Sequence, residues 1–334
     1  MPEQFIWGIE VFLNGLMAGV LYALVALGFV LIYKASGIFN YAQGVMALFA
    51  AMTLVGIMDG QVPFAPLINA ILGTNIHYFG WEVPVLAAIL LTAGVMVLFA
   101  WMVQRLIFRH LVGQEPIILF MATIGLAYFL EGVADLMWGS EIKRLDVGLP
   151  QGINFAIDDF TFGIFGYGFF IDNLDIVATI IAAILVLALT IFSQYSKQGR
   201  AMRAVADDHQ AALSVGVSLN FVWIMVWSVA GFVALVAGIM WGTKSGVQFS
   251  LSLIALKALP VLMLGGFTSI PGAIVGGLII GVGEKLFEFA IGPMIGGVLY
   301  QIEPWLPYAF AAVVYVFLLG GMQWLGKRVT THEV

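Results

Sequence analysis

The sequence predicts an all-α polytopic integral membrane protein with about eight or nine transmembrane helices and a glycine-rich, broken late segment. Three observations predict it. Of 334 residues, 62% are hydrophobic and only 10% charged, whereas an ordinary soluble domain carries about 25% charged residues. The mean hydropathy is +1.05, so most of the surface must face lipid or other apolar helices. The apolar residues also fall in continuous charge-free runs of bilayer length. The strands of an outer-membrane barrel would alternate apolar and polar residues in segments of about ten.

This composition excludes soluble enzymes and disordered regulators. The net charge of −6 also argues against nucleic acid as a partner, because phosphate backbones call for clustered Lys and Arg. Cysteine is absent, so disulfides and thiolate chemistry are absent with it.

Taken in chain order, Met1 to Glu10 lacks Lys and Arg, unlike the basic start of a secretory signal. Val11–Tyr33 follows as a run of 23 residues, too long for a signal core and sufficient to span a bilayer. Ile38–Met58, Val83–Gln104, Ile176–Tyr195, Phe221–Trp241 and Trp305–Gly326 are similar, and Pro116–Trp138 is interrupted late by Glu131 and Asp135. Ser245–Phe289 is glycine-rich and broken by Lys257 and Pro271, which leaves one or two crossings.

Cations orient the chain, because cytoplasmic loops are enriched in Lys and Arg. Lys34, Arg105, Arg109, Lys197, Arg200, Arg203, Lys327 and Arg328 share one side if the N-terminus lies outside and the late region crosses twice. The chain then forms one membrane domain, 1–334, with a cytoplasmic loop at 196–220 and an acidic extracytoplasmic loop at 139–175. Within the acidic loop, Ile153–Ile171 suits a small hairpin or a short amphipathic element. The loop reads either as a solvated cover over helix ends or as a docking rim.

No enzyme motif is present. There is no GxxxxGK(S/T) phosphate loop, no HExxH and no GxSxG elbow. The four histidines lack metal-ligand spacing. Four other features carry information.

Gly15 with Gly19, Gly272 with Gly276, and Gly277 with Gly281 are small-xxx-small pairs, the spacing that lets helix backbones approach in lipid. They fit plain packing or helices that move past one another. Two polar interruptions, Asn40–Gly44 and Leu264–Gly272, break apolar sequence. Irregular backbone at membrane depth needs burial in protein or a wet cavity, unless each is a loop at the interface. Glu131 with Asp135 and Glu284 with Glu288 each share a helix face, and Lys257 stands alone in an apolar run. Charges so placed face a cavity, a partner or the interface. The stretch Lys197–Ser218 alternates Arg200, Arg203, Asp207, Asp208 and Gln210 with Met202, Val205, Ala206 and Leu213. That spacing makes an amphipathic helix outside the membrane. Its paired aspartates suit a protein partner better than anionic headgroups.

Several stretches together resemble the permease subunits of branched-chain amino acid ABC transporters, the LivH/LivM-like family. Asn40-Tyr41-Ala42-Gln43-Gly44, following Tyr22-Ala23-Leu24 and Ala26-Leu27-Gly28, is similar to that family's N-F-A-(H/Q)-G segment. Arg200-Ala201 with Gln210 through Gly216 resembles its cytoplasmic loop and the wider E-A-A-x-x-x-G importer pattern, with Gln210 in place of Glu. Gly265 through Ala273 with Gly276-Gly277 resembles its late glycine element, Thr268 standing where Gly is common. The resemblance covers about Phe12 to Leu325.

The resemblance implies a bacterial inner-membrane permease with the N-terminus outside and the C-terminus cytoplasmic. It would pair with a homologous permease, be driven by two ATP-binding subunits and be fed by a periplasmic binding protein. ATP and Mg would sit on those partners, with no cofactor in this chain. By carry-over, Arg200, Arg203, Asp207, Gln210, Ala211, Ala212 and Gly216 belong to the coupling helix. Asn14, Asn40 and Gln43 are candidate neutral contacts along the solute pathway, and Lys257 is a candidate for a carboxylate. Branched-chain or related amino acids are the expected solutes, while related permeases serve urea, short amides and aromatic acids. The rival from another class is a secondary transporter coupled to an ion gradient through Glu131, Asp135, Glu284 or Glu288.

Overall fold

The computed structural model describes residues 3–290 apart from 74–77, 79, 81–82, 112–113, 166 and 208. Among the described residues the secondary structure is helical, with isolated bridges and no extended strand. α1 (Glu3–Ser36), α2 (Gln43–Met58), α3 (Ala65–Leu72) and α4 (Val85–Leu106) come first. α5 (Pro116–Trp138), α6 (Phe155–Phe165), α7 (Asn173–Tyr195), α8 (Lys197–Asp207) and α9 (His209–Ser214) follow. α10 (Leu219–Ser245), α11 (Ile254–Gly265) and α12 (Ile270–Ala290) complete the described part.

Six helices, α1, α4, α5, α7, α10 and α12, are long and apolar enough to cross a membrane. The protein is therefore an all-α, multi-pass membrane protein. The apolar run Trp305–Gly326 lies outside the described residues.

Helix ends follow local chemistry. α5 spans the limits its sequence predicts: Pro116 occupies the first turn, where a missing amide costs nothing, and Gly139 ends the helix at φ +77°. The expected span Ile38–Met58 is shortened. Gly37, at φ +68°, closes α1 through its amide bond to Tyr33. Asn40 Oδ1 then accepts the Ala42 amide at 3.1 Å, making an Asx turn, and helix resumes only at Gln43. With 16 residues, α2 rises about 24 Å, short of the roughly 30 Å hydrocarbon core.

The late glycine-rich region is a helical hairpin. Ser269 Oγ accepts the Gly272 amide at 3.0 Å and caps α12, so α11 and α12 are two elements rather than one bent span. In the acidic loop, Ile153–Ile171 forms the short helix α6, capped by Asn154 Oδ1 on the Ile157 amide and closed by an antiparallel bridge between Ile153 and Asp172.

The chain divides into two compact units. The first comprises Met1–Ala23, Pro150–Ala183 and Ala258–Val334. Its described part is built on α12, which packs on both α11 and the N-terminal half of α1. Phe169 and Ile171, beyond α6, bury themselves against Ile9, Leu13 and Met17 of α1, and the Phe170 amide donates to Glu10 Oε1 at 3.2 Å.

The second unit comprises Leu24–Leu149 and Ile184–Lys257. Its axis is α2, buried at 15 of its 16 positions. α4, α5, α10 and the 3-10 turn Phe249–Leu253 all pack on α2. A helix apolar on every side is stable only where neighbours cover it all round. Trp138 of α5 meets Phe49 of α2 edge to face at 5.5 Å, and Phe108 stacks on Trp227 at 4.8 Å.

Candidate functional site

The loop between α7 and α10 is the most chemically specified surface of the second unit. The amphipathic helix expected over Lys197–Ser218 is described as α8, Lys197–Asp207, and α9, His209–Ser214, with Asp208 outside the described residues.

α8 is locked to the end of α7. Ser196 Oγ accepts the Gly199 amide at 2.8 Å and caps α8. The last four carbonyls of a helix lack intrahelical partners. In α7 all four find one: Phe192 O accepts the Ser196 amide, Ser193 O and Gln194 O accept the Arg203 guanidinium, and Tyr195 O accepts Arg200 Nη1 at 3.1 Å. Cations at a helix C-terminus also complement its dipole. Gly199 is required by contact, because a Cβ there would overlap the Phe192 and Ser193 carbonyl oxygens.

The apolar face of α8, Met202 and Val205, is buried, and α8 packs on α10. α9 ends in a Schellman motif: the Gly216 amide bonds to Leu213 O and the Val217 amide to Ala212 O, with Gly216 at φ +86°. Ala212 is buried, while Leu213 and Val215 are exposed apolar side chains beside that turn. Asp207, Gln210 and Ala211 belong to these helices, and their side chains lie outside the described residues.

The second site lies where the polar interruption meets α2. Asn40 and Gln43 are buried at 0% and 1% exposure. Asn40 Nδ2 donates to Gln43 Oε1 at 3.2 Å and lies 3.4 Å from Met46 Sδ. Gln43 Nε2 donates to Ala230 O of α10 at 3.3 Å. Thr123 Oγ1 of α5 accepts the Tyr41 amide at 3.1 Å, with the Phe120 and Phe39 carbonyls in reach of its own proton. Gly28 leaves the room that Gln43 fills, since a Cβ there would strike the Gln43 amide. These polar groups are satisfied within the protein. Tyr41 alone in the turn is exposed.

Both glycine pairs of the first unit's long helices meet each other. A Cβ at Gly19 would lie 2.6 Å from Gly277 O, one at Gly277 would lie 2.6 Å from Gly19 O, and one at Gly15 would lie 2.7 Å from Val282 Cα. Gly281 faces the Gly19 amide and Gly15 O. On another face of α12, Gly272 abuts Gly265 of α11, and a Cβ at Gly276 would lie 2.7 Å from Val261 O. Every glycine of the three pairs is therefore a backbone contact.

The remaining candidates are more dispersed. Asn14 is half-buried on α1 beside Gly15, and Lys257 is exposed on α11. Glu131 is half-buried, while Asp135, Glu284 and Glu288 are exposed. Glu288 pairs with Lys285 at 2.9 Å. Reading the sequence missed Thr123, Ser196 and Gly199. A lone Thr in the apolar start of α5 and a Ser three residues before Gly199 are the signals that would have found them.

Comparison with known proteins places these features in context. The family model for the branched-chain amino acid transport system permease component matches residues 11–319. The high-affinity branched-chain amino acid transport system permease protein LivH of Salmonella typhimurium is 30% identical over 293 residues, covering 86% of this chain and 88% of that protein. LivH of Escherichia coli is 30% identical over 290 residues, with the same coverage. BraD of Pseudomonas aeruginosa, a permease of the same description, is 29% identical over 293 residues, covering 85% of this chain and 87% of that protein. No solved structure matches the chain.

Proposed function

From its membership of the branched-chain amino acid transport permease family, to which the chain belongs, we propose that it is the membrane subunit of an ATP-driven importer for branched-chain or related amino acids. It pairs with a homologous permease in the bacterial inner membrane, its N-terminus outside and its C-terminus cytoplasmic. A periplasmic binding protein delivers the solute, and two ATP-binding subunits hold ATP and Mg and hydrolyse the nucleotide. The observation that carries this reading is the family match over residues 11–319.

The joint between α7 and α8 supports the coupling role. A load applied to α8 passes through Arg203 to the end of a membrane-length helix without first crossing a flexible linker. Leu213 and Val215, exposed beside the α9 turn, suit an apolar groove on an ATP-binding subunit. The solute path runs beside the α2 lead-in, where Tyr41 is accessible, with Asn40 and Gln43 holding the backbone behind it. Lys257, exposed on α11, and Asn14, on α1, are the further polar groups offered to a solute.

The test is uptake of radiolabelled leucine and of urea by vesicles holding the assembled transporter with its binding protein. Leucine uptake that requires ATP and is unaffected by dissipating ion gradients is expected. Uptake that follows an ion gradient without ATP overturns the reading.

A further inference from the structure

Between α4 and α5, both packed on α2, lies a cavity of about 430 Å³. Leu98 and Met102 wall it on α4, Phe129, Val133 and Leu136 on α5, and Phe49 of α2 floors it. Leu98, Phe129 and Leu136 are exposed, so the cleft opens on the outer side of two membrane-length helices. There the surrounding solvent is lipid rather than water.

The lining selects the occupant. On α4 it runs from Val95 to Met102, about 10 Å of helix at 1.5 Å per residue, and every lining residue on α2, α4 and α5 is apolar. An apolar cleft of that length, open to lipid, suits an extended hydrocarbon chain.

Charge identifies the rest of the ligand. Arg105 lies three residues beyond Met102, on the same helical stripe as Leu98 and Met102. Arg109 follows in the 3-10 turn Phe108–His110 beyond the end of α4, and both arginines are exposed. The Arg105 guanidinium sits 5.8 Å from the Trp101 ring centroid, the aromatic-cation pairing typical of the headgroup level. Basic pockets beside membrane helices hold anionic lipid headgroups. We propose that this cleft binds one anionic phospholipid, its acyl chain between α4 and α5 over Phe49 and its phosphate on Arg105 and Arg109.

The test is native mass spectrometry of the full chain in mild detergent, supplied with equal amounts of phosphatidylglycerol and phosphatidylethanolamine. One phosphatidylglycerol retained per chain is expected, with a preference over phosphatidylethanolamine of about fivefold per arginine near the phosphate. Arg105→Gln should lower that preference about fivefold. Val133→Trp, which fills the cleft, should abolish retention of both lipids. If that variant does not fold, Arg105→Gln and Leu98→Trp decide the matter. Retention that Val133→Trp or Leu98→Trp leaves unchanged, or that shows no headgroup preference in the wild type, overturns the proposal. So does a Val133→Trp chain that keeps its lipid but loses association with a second permease.

Discussion

The seam between α1 and α12 and the polar turn leading into α2 solve the same problem in opposite ways. Both must hold helices in a solvent that offers no hydrophobic drive to pack. At the seam, Gly15, Gly19, Gly277 and Gly281 remove side chains so that backbone meets backbone. At the turn, Asn40, Gln43 and Thr123 add polar groups and satisfy them across α2, α5 and α10. The seam tolerates loss of nothing and gain of nothing in volume. The turn depends on partners more than on volume. The difference teaches that a polar residue in a membrane helix need not mark the solute, and that a glycine need not mark flexibility.

The comparison breaks most clearly at the seam. Gly277→Leu should prevent a stable fold, because overpacking costs about 1–3 kcal/mol even where side chains can move, and here the obstacle is the Gly19 backbone. Size-exclusion profiles in detergent check it. Gly283→Ala, on the same helix with open space around it, should instead raise stability by about 0.5–1 kcal/mol.

The next effect belongs to the turn. Gln43→Ala removes the Asn40 amide's oxygen acceptor and the side-chain donor on the Ala230 carbonyl, and should cost about 1–3 kcal/mol, read as a lower thermal midpoint in detergent. Gln43→Glu keeps the volume but introduces a buried charge, and should be worse than Ala. If Gln43→Ala proves neutral while solute affinity falls, the turn is a binding site rather than a scaffold.

Smaller in stability, though not in consequence, is the joint. Arg203→Ala removes the donors on the Ser193 and Gln194 carbonyls, of which Gln194 is exposed and Ser193 buried, so about 1 kcal/mol is expected. ATP hydrolysis by the assembled transporter should persist while solute uptake falls, measured side by side in vesicles. Arg203→Lys keeps the charge without the two-pronged geometry and should recover only part of the uptake. Least of all, Lys285→Ala removes an exposed ion pair with Glu288 and should change the midpoint by no more than about 0.5 kcal/mol. Glu288→Gln would instead abolish uptake in an ion-coupled transporter.

Much of the fold was legible without coordinates. The limits of α5 follow from Pro116 and Gly139. The spans that became α1, α4, α7 and α10 were readable as charge-free runs, because bilayer thickness imposes one length on every crossing. The candidate sites were legible by residue but not by role. Arg203 reads from spacing as part of a polar helix face, while in space it turns back to cap the preceding helix. Asn40 and Gln43 read as breaks in apolar sequence, while in space they close on each other.

Hydropathy, glycine spacing and charge asymmetry by themselves determined that this chain is helical, lies in a membrane, and carries an amphipathic stretch between two apolar runs. These are properties of individual segments in a solvent, so a one-dimensional pattern suffices to read them. Only the tertiary structure decided that the glycines of α1 face those of α12 and that Gln43 reaches Ala230, 187 positions away. It alone decided that α4 and α5 leave a cleft over Phe49. Which stripe meets which is set by steric fit and hydrogen-bond satisfaction between distant segments. The local sequence shows that a stripe can pack closely, but not which stripe it meets.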